Sequence, residues 1–134
     1  SENNASLVFK MTANGQTVLF TNDAEKAVSE LLCDTYGEEL KSDIFQMNHH
    51  GVGGCIKRLC EYADPEYSLW TTNQISYDLR VSQEIGGIDQ YESNLYILEK
   101  LGRENCFIIA DGDVEIISFP LEDKATDITY YTMQ

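Results

Sequence analysis

The chain has 134 residues, 43% of them hydrophobic, and a net charge of −14 from 23 acidic and 9 basic side chains. That is room for one domain with a packed core, and it argues against disorder. It also argues against direct nucleic-acid contact, because a phosphate-backbone binder needs a basic stripe and no Lys/Arg cluster occurs.

No apolar run approaches the ~18 residues of a membrane span. The opening stretch SENNASLVFK lacks the basic and apolar regions of a signal peptide, so none is expected.

Residues 6–23 (SLVFKMTANGQTVLFTND) alternate apolar and polar positions on either side of Asn14-Gly15. This pattern predicts a β-hairpin with a tight turn of positive φ. Residues 24–40 change period. Ala24, Ala27, Val28, Leu31 and Leu32 make one helical stripe, Asp23 stands at the N-cap position, and Gly37 loosens the last turn.

DIFQM (43–47) reads as a buried strand, GCIKRLCEYA (54–63) as a helix closed by Asp64-Pro65, and YSLWTT (67–72) as a further strand. Residues 73–90 carry no sustained period and read as a long irregular loop. Residues 91–102 read as a helix stopped by Gly102. Residues 105–119 read as a second hairpin turning at Asp111-Gly112.

The tail is expected to add an edge strand at ITYYTM. Strands alternating with helices imply an α/β fold with a mixed sheet, and helices this few are not expected to cover both faces.

Four cysteines occur, Cys33, Cys55, Cys60 and Cys106, with no C-x-x-C spacing. They read as buried thiols, which points to a reducing, cytoplasmic compartment.

The chemistry-bearing residues gather at predicted strand ends. Asp23 closes the second strand. His49 and His50, the only histidines, close the third and open a glycine loop at Gly51, Gly53 and Gly54. Ligands collect at that edge of open α/β sheets, and a carboxylate with an imidazole is a partial zinc or manganese site.

Two plainer readings compete. Asp23 can serve only as a helix N-cap, and the histidine pair can be surface polarity. Adjacent side chains on an extended backbone also point to opposite sides, so at most one histidine is expected to be a ligand. The glycines suit tight turns or close approach of a substrate.

The ordered combination NNASLVFKMTANGQTVLFTNDAEKAVSELL, YGEELKSDIFQMNHHGVGG, YADPEYSLWTTN and NCFIIADGDVEIISF spans nearly the whole chain. It resembles the second half of a metallo-β-lactamase-fold hydrolase. The similar branch is the one with a TGD-ended hairpin and an HHG-ended strand, as in the domain of competence-type DNA-uptake proteins.

The resemblance implies a four-layer αβ/βα sandwich and two zinc ions, with Asp23 and His50 as ligands and His49 as second choice. It also implies metal-assisted hydrolysis of an ester, amide or phosphodiester. This chain has TND where that branch has TGD, and it lacks the H-x-H-x-D-H motif of the first half.

A catalytic zinc takes about three protein ligands. The chain, a single domain over 1–134, is therefore expected to be an inactive C-terminal half whose partner is the missing N-terminal half. By itself it is expected to form a homodimer through the exposed sheet face. The alternative expectation is a non-catalytic interaction module that kept the fold without the metal site.

Overall fold

In a computed structural model, the structure describes residues 7–51, 53–82, 88–116, 120–122 and 127–131. The hairpin forms as its sequence dictates. β1 (Phe9–Ala13) and β2 (Gln16–Phe20) pair antiparallel, and Asn14 and Gly15 take φ of 50° and 79° at the turn. This positive-φ pair matches the right-handed twist of the strands that flank it.

α1 (Lys26–Tyr36) follows, extended by a 3-10 turn at Gly37–Leu40. β3 (Ile44–Gln46), α2 (Lys57–Ala63) and β4 (Tyr67–Trp70) come next. β2, β3 and β4 run parallel to one another, with Val18 opposite Ile44 and Phe45 opposite Ser68. Among the described residues this makes a five-stranded mixed sheet of order β1-β2-β3-β4-β5, where β5 is Cys106–Ile108.

Three sequence expectations are corrected. The stretch 73–90 is not an irregular loop: α3 (Gln74–Ser82) lies within it and α4 (Ile88–Leu101) begins inside its end, while 83–87 lie outside the described residues. α3 has a start signal, since Asn73 Oδ1 accepts from the Ser76 N–H at 2.9 Å. No α3 residue is buried: Ile75 and Leu79 are exposed, and Tyr77 packs against the core cluster from partly exposed ground.

Residues 105–119 are not a hairpin. Cys106, Phe107 and Ile108 are all buried and pair in parallel with β4. The chain then passes through a 3-10 turn at Ile109–Asp111. β6 (Asp113–Ile116) pairs instead with β7 (Ile128–Tyr131) in a separate two-stranded ribbon, so the strand expected at ITYYTM lies there rather than at the edge of the main sheet. A short apolar run flanked by a crossover is the mark of a buried parallel strand. Arg103 fixes the turn by donating to Cys106 O (3.0 Å) and to Asp111 (2.7 Å).

The third correction concerns Asp23, which is not the N-cap. That position is Glu25. The chain first turns on itself, with Ala24 N–H donating to Thr21 O at 3.1 Å, so the helix starts later than the stripe suggested.

Strand alternation sorts the core. Leu19, Phe45, Trp70, Cys106 and Ile108 point to one face, where α1, α2 and α4 add Cys33, Leu59, Cys60, Ala63, Ile97 and Leu101. Val18, Ile44 and Phe107 point to the other, where the chain's own Leu121 and Ile116 lie over them. Among the described residues, helices contribute to the first cluster only. Burying each of these aliphatic or aromatic side chains contributes about 1.5–3 kcal/mol. All four cysteines are buried free thiols. No described helix is long and apolar enough to cross a membrane.

Candidate functional site at the strand ends

Three neighbouring parallel strands deliver one polar side chain each to the same edge. Asp23 follows β2, His50 follows β3 and Thr71 follows β4. His50 Nε2 lies 3.1 Å from Asp23 Oδ1, and His50 Nδ1 lies 2.6 Å from Thr71 Oγ1. About half of the Asp23 and His50 side-chain surface remains in solvent, 45% and 47%. The chain thus presents a carboxylate–imidazole–hydroxyl line at the carboxyl edge of a parallel sheet, where α/β proteins place their ligands.

The two histidines do not sit on extended backbone. His49 (φ 45°, ψ 46°) and His50 (φ 61°, ψ 19°) are both left-handed, and their rings are 5.8 Å apart. The alternation that would have sent them to opposite sides therefore does not apply. Only His50 is paired with Asp23. His49 donates its backbone N–H to Asn22 O at 2.7 Å, and its ring lies beside Gly53. Asn22 is itself left-handed, at φ 50°. Successive non-glycine residues in this region cost on the order of 1 kcal/mol each and persist only when the surroundings hold them.

Those surroundings are the half-buried amide of Gln46, three buried amides and a hydroxyl. Gln46 Oε1 accepts from the N–H groups of Thr21 (3.1 Å) and Asn22 (3.0 Å), fastening the Asp23 loop to the end of β3. Asn48 donates to Ala24 O (3.3 Å) and to Ser29 Oγ (2.9 Å), and Ser29 donates to Gly54 O (2.6 Å). From α4, Asn94 donates to Gly51 O (3.0 Å) and accepts from Gln90 (2.7 Å), whose Oε1 accepts from the Cys55 N–H (2.8 Å). The glycine loop is gripped at both ends.

None of Gln46, Asn48, Gln90 and Asn94 stood out in the sequence. A signal was there for two of them. Gln90 and Asn94 occupy the same stripe of α4 as Ile97 and Leu101, and a polar residue on an inward stripe must be hydrogen-bonded to something.

The glycines earn their place by close packing. Gly54 has φ +87°, and a Cβ there would stand 2.2 Å from Ala24 O. The loop that carries His50 and the loop that carries Asp23 can touch only because that atom is missing. Gly51 lies against the Trp70 ring, with a built Cβ at 3.0 Å. Gly53 contacts His49.

The 3.1 Å spacing of Asp23 and His50 is common to an ion pair and to two ligands of one ion. Two atoms bound to zinc at about 2.0 Å in tetrahedral geometry lie about 3.3 Å apart, close to the 3.1 Å observed. Among the described residues, no group of three or more His, Cys, Asp or Glu side chains is placed to hold a metal. Comparison with protein-family models, curated proteins and solved structures finds no match to this chain.

Proposed function

We propose that this chain is the C-terminal part of a zinc-dependent hydrolase of the metallo-β-lactamase type, contributing Asp23 and His50 to a two-metal site that other residues complete. The observation that supports it most is their meeting at 3.1 Å from the ends of adjacent parallel strands. The resemblance of the sequence names the same two positions independently of that distance.

A bound zinc supplies a nucleophile at neutral pH and stabilises developing negative charge. Asp23 and His50 would hold it, and the amides beneath them fix where it sits. The His49 ring lies beside that of His50, 5.8 Å away. The substrate class is an ester, amide or phosphodiester.

The same reading assigns the second sheet face to the other half of a four-layer sandwich. Val18, Ile44 and Phe107 are covered by the chain's own Leu121, but Phe9 and Met11 on that face stay 43% and 40% exposed. In isolation, two copies are expected to pair there.

Zinc titration followed on the two histidine ring spectra tests the site. Expected is a selective shift of His50, weaker than micromolar and abolished by Asp23→Ala, with His49→Ala retaining it. No response of His50 at millimolar zinc would sink the metal assignment, whereas stoichiometric sub-micromolar binding would sink the claim that further ligands are needed.

A further inference from the structure

Two of the four buried thiols touch. Cys55 Sγ lies 3.4 Å from Cys60 Sγ, tighter than the roughly 3.5–4.0 Å at which the smaller carbon atoms pack. A local route brings them together. Ile56 is the N-cap of α2, and its carbonyl accepts from the Leu59 and Cys60 N–H groups at 3.1 and 3.4 Å. The first turn of α2 thus folds Cys60 back toward the residue before the cap. A disulfide needs the sulfurs to close to about 2.05 Å, a movement that two side chains can share.

The two cysteines are 1% and 0% exposed, and burial ordinarily leaves a thiol inert. Their attachments differ, however. The peptide group joining Gly54 to Cys55 is held from two helices: Ser29 Oγ donates to the Gly54 oxygen at 2.6 Å, and the Cys55 N–H donates to Gln90 Oε1 at 2.8 Å. Cys60 lies within α2 itself. Local opening that breaks the first pair of bonds frees Cys55 while α2 stays in place.

We infer that Cys55 and Cys60 are a redox pair, which a hydroperoxide converts to a disulfide that fastens the end of the glycine loop to α2. Cys55 reacts first. Its thiolate sulfur attacks one peroxide oxygen, the S–O bond forms, the O–O bond breaks, and the leaving oxygen takes up the thiol proton. Cys55 is then a sulfenic acid. The Cys60 sulfur attacks the Cys55 sulfur, the S–S bond forms, the S–O bond breaks, and the hydroxyl leaves as water with the Cys60 proton. Two thiols lose two electrons and two protons, and hydrogen peroxide becomes two waters.

Cys60 suits the second role. Its contact with Cys55 and its burial hold its proton on well above the ordinary thiol range. Transient, redox-sensing disulfides are the kind a reducing compartment allows, in keeping with four free thiols in the resting chain. The inference is independent of the zinc assignment.

The test is hydrogen peroxide on the 134-residue chain, then alkylation of the remaining thiols in denaturant, tryptic digestion and mass spectrometry. Trypsin cuts after Lys57 and Arg58, between the two cysteines, and leaves each of the four in its own peptide. Expected is one bridge, from the peptide ending at Lys57 to the peptide beginning at Leu59. Cys33 and Cys106 should remain alkylated, and dithiothreitol should reverse the bridge.

Cys60→Ser should stop at the Cys55 sulfenic acid, which dimedone captures. Cys55→Ser should leave Cys60 unoxidised under the same exposure. Gln90→Ala, which releases the Cys55 amide, should speed bridge formation about fivefold.

A bridge between any other two cysteines would overturn the inference. So would the absence of a bridge once peroxide has converted Met11, 40% exposed, to its sulfoxide. Dimedone on Cys60 in Cys55→Ser would overturn the order of reaction, and a rate indifferent to Gln90→Ala would overturn the opening step. Should a variant not fold, the wild-type linkage, timed against Met11, decides.

Discussion

The two faces of the main sheet are made by the same strands and differ in what lies on them. On the helical face, Trp70, Phe45 and Ile108 meet three helices, and the same layer includes Asn94 and Gln90. On the opposite face, Val18, Ile44 and Phe107 meet Leu121, while Phe9 and Met11 keep about two-fifths of their surface in solvent. The amides that hold the glycine loop, Asn48, Gln90 and Asn94, belong to the first layer, whereas Gln46, which fastens the Asp23 loop, alternates with Phe45 and pairs with Leu69, so it lies on the side of Ile44. The difference teaches that the site is held from both sides of the sheet, the His50 loop from the helical layer and the Asp23 loop from the other.

The sharpest way to break this asymmetry is Trp70→Ala. The side chain is 1% exposed and supports Gly51 directly. Its loss should cost about 4 kcal/mol in urea unfolding and broaden both histidine spectra, since the floor of their loop goes with it.

Gly54→Ala comes next, at about 3 kcal/mol, because its Cβ would collide with the Ala24 carbonyl and because φ of +87° is strained for any side chain. This variant separates site from fold. The Asp23–His50 pair should part and zinc response should vanish, while far-UV circular dichroism stays close to the wild type below the melting range.

Asn94→Ala is expected to cost about 2 kcal/mol. It strips the Gly51 carbonyl of its donor and leaves Gln90 Nε2 buried without its acceptor. Hydrogen exchange should speed up at the Cys55 amide, which Gln90 holds. An unchanged Cys55 amide would show that the loop needs no support from α4.

These three positions also show how far the sequence can be read. The Asn14-Gly15 hairpin, the existence of α1 and the buried strand at 44–46 were legible, since local chemistry and tertiary structure ask for the same thing there. The buried face of α1 was not: Ala27 and Leu31 of the expected stripe are exposed, Leu31 at 63%, and Ser29 and Cys33 are buried instead. Asp23 and His50 were legible as candidates. Their contact was not, because it depends on Gly54 and on three left-handed non-glycine residues, Asn22, His49 and His50, whose conformation no local rule predicts.

The β5–β6 segment misled because Asp111-Gly112 is a good turn pair wherever it stands. Only the burial of Cys106, Phe107 and Ile108 on both faces of the sheet shows that the strand before it belongs beside β4. Thr71 was invisible for a related reason: a threonine after a strand signals nothing until the loop from the neighbouring strand is laid across it.

A pH titration probes the helical face as a whole. The Cys55 thiol and burial hold the Cys60 thiol well above its ordinary value, and burial pushes Cys106 up as well. Both groups keep their protons in the folded state where the unfolded chain would lose them. Their contribution is therefore fully present below the ordinary thiol value of about 8.5 and is lost as pH rises beyond it. Unfolding free energy should fall by roughly 1.4 kcal/mol per pH unit for each thiol above that point. Cys106→Ala should reduce the alkaline slope by one thiol's share; an unchanged slope would show that the thiols are not what destabilises the layer.

The smallest effect on stability is expected where the second face is open. Met11 sits across from Val18 on the edge strand, 40% exposed. Met11→Ser removes little buried area and should change unfolding free energy by no more than about 0.5 kcal/mol. Its value lies in association. Two chains of charge −14 repel, so any dimer must be held by apolar contact strong enough to overcome that, and salt should strengthen it. If copies pair through this face, light scattering should show a salt-promoted dimer that Met11→Ser weakens while the His50 spectrum stays unmoved. A dimer indifferent to Met11→Ser would place the contact elsewhere. A monomer at all salt concentrations would mean that Leu121 and its neighbours close the face well enough to keep it from self-association.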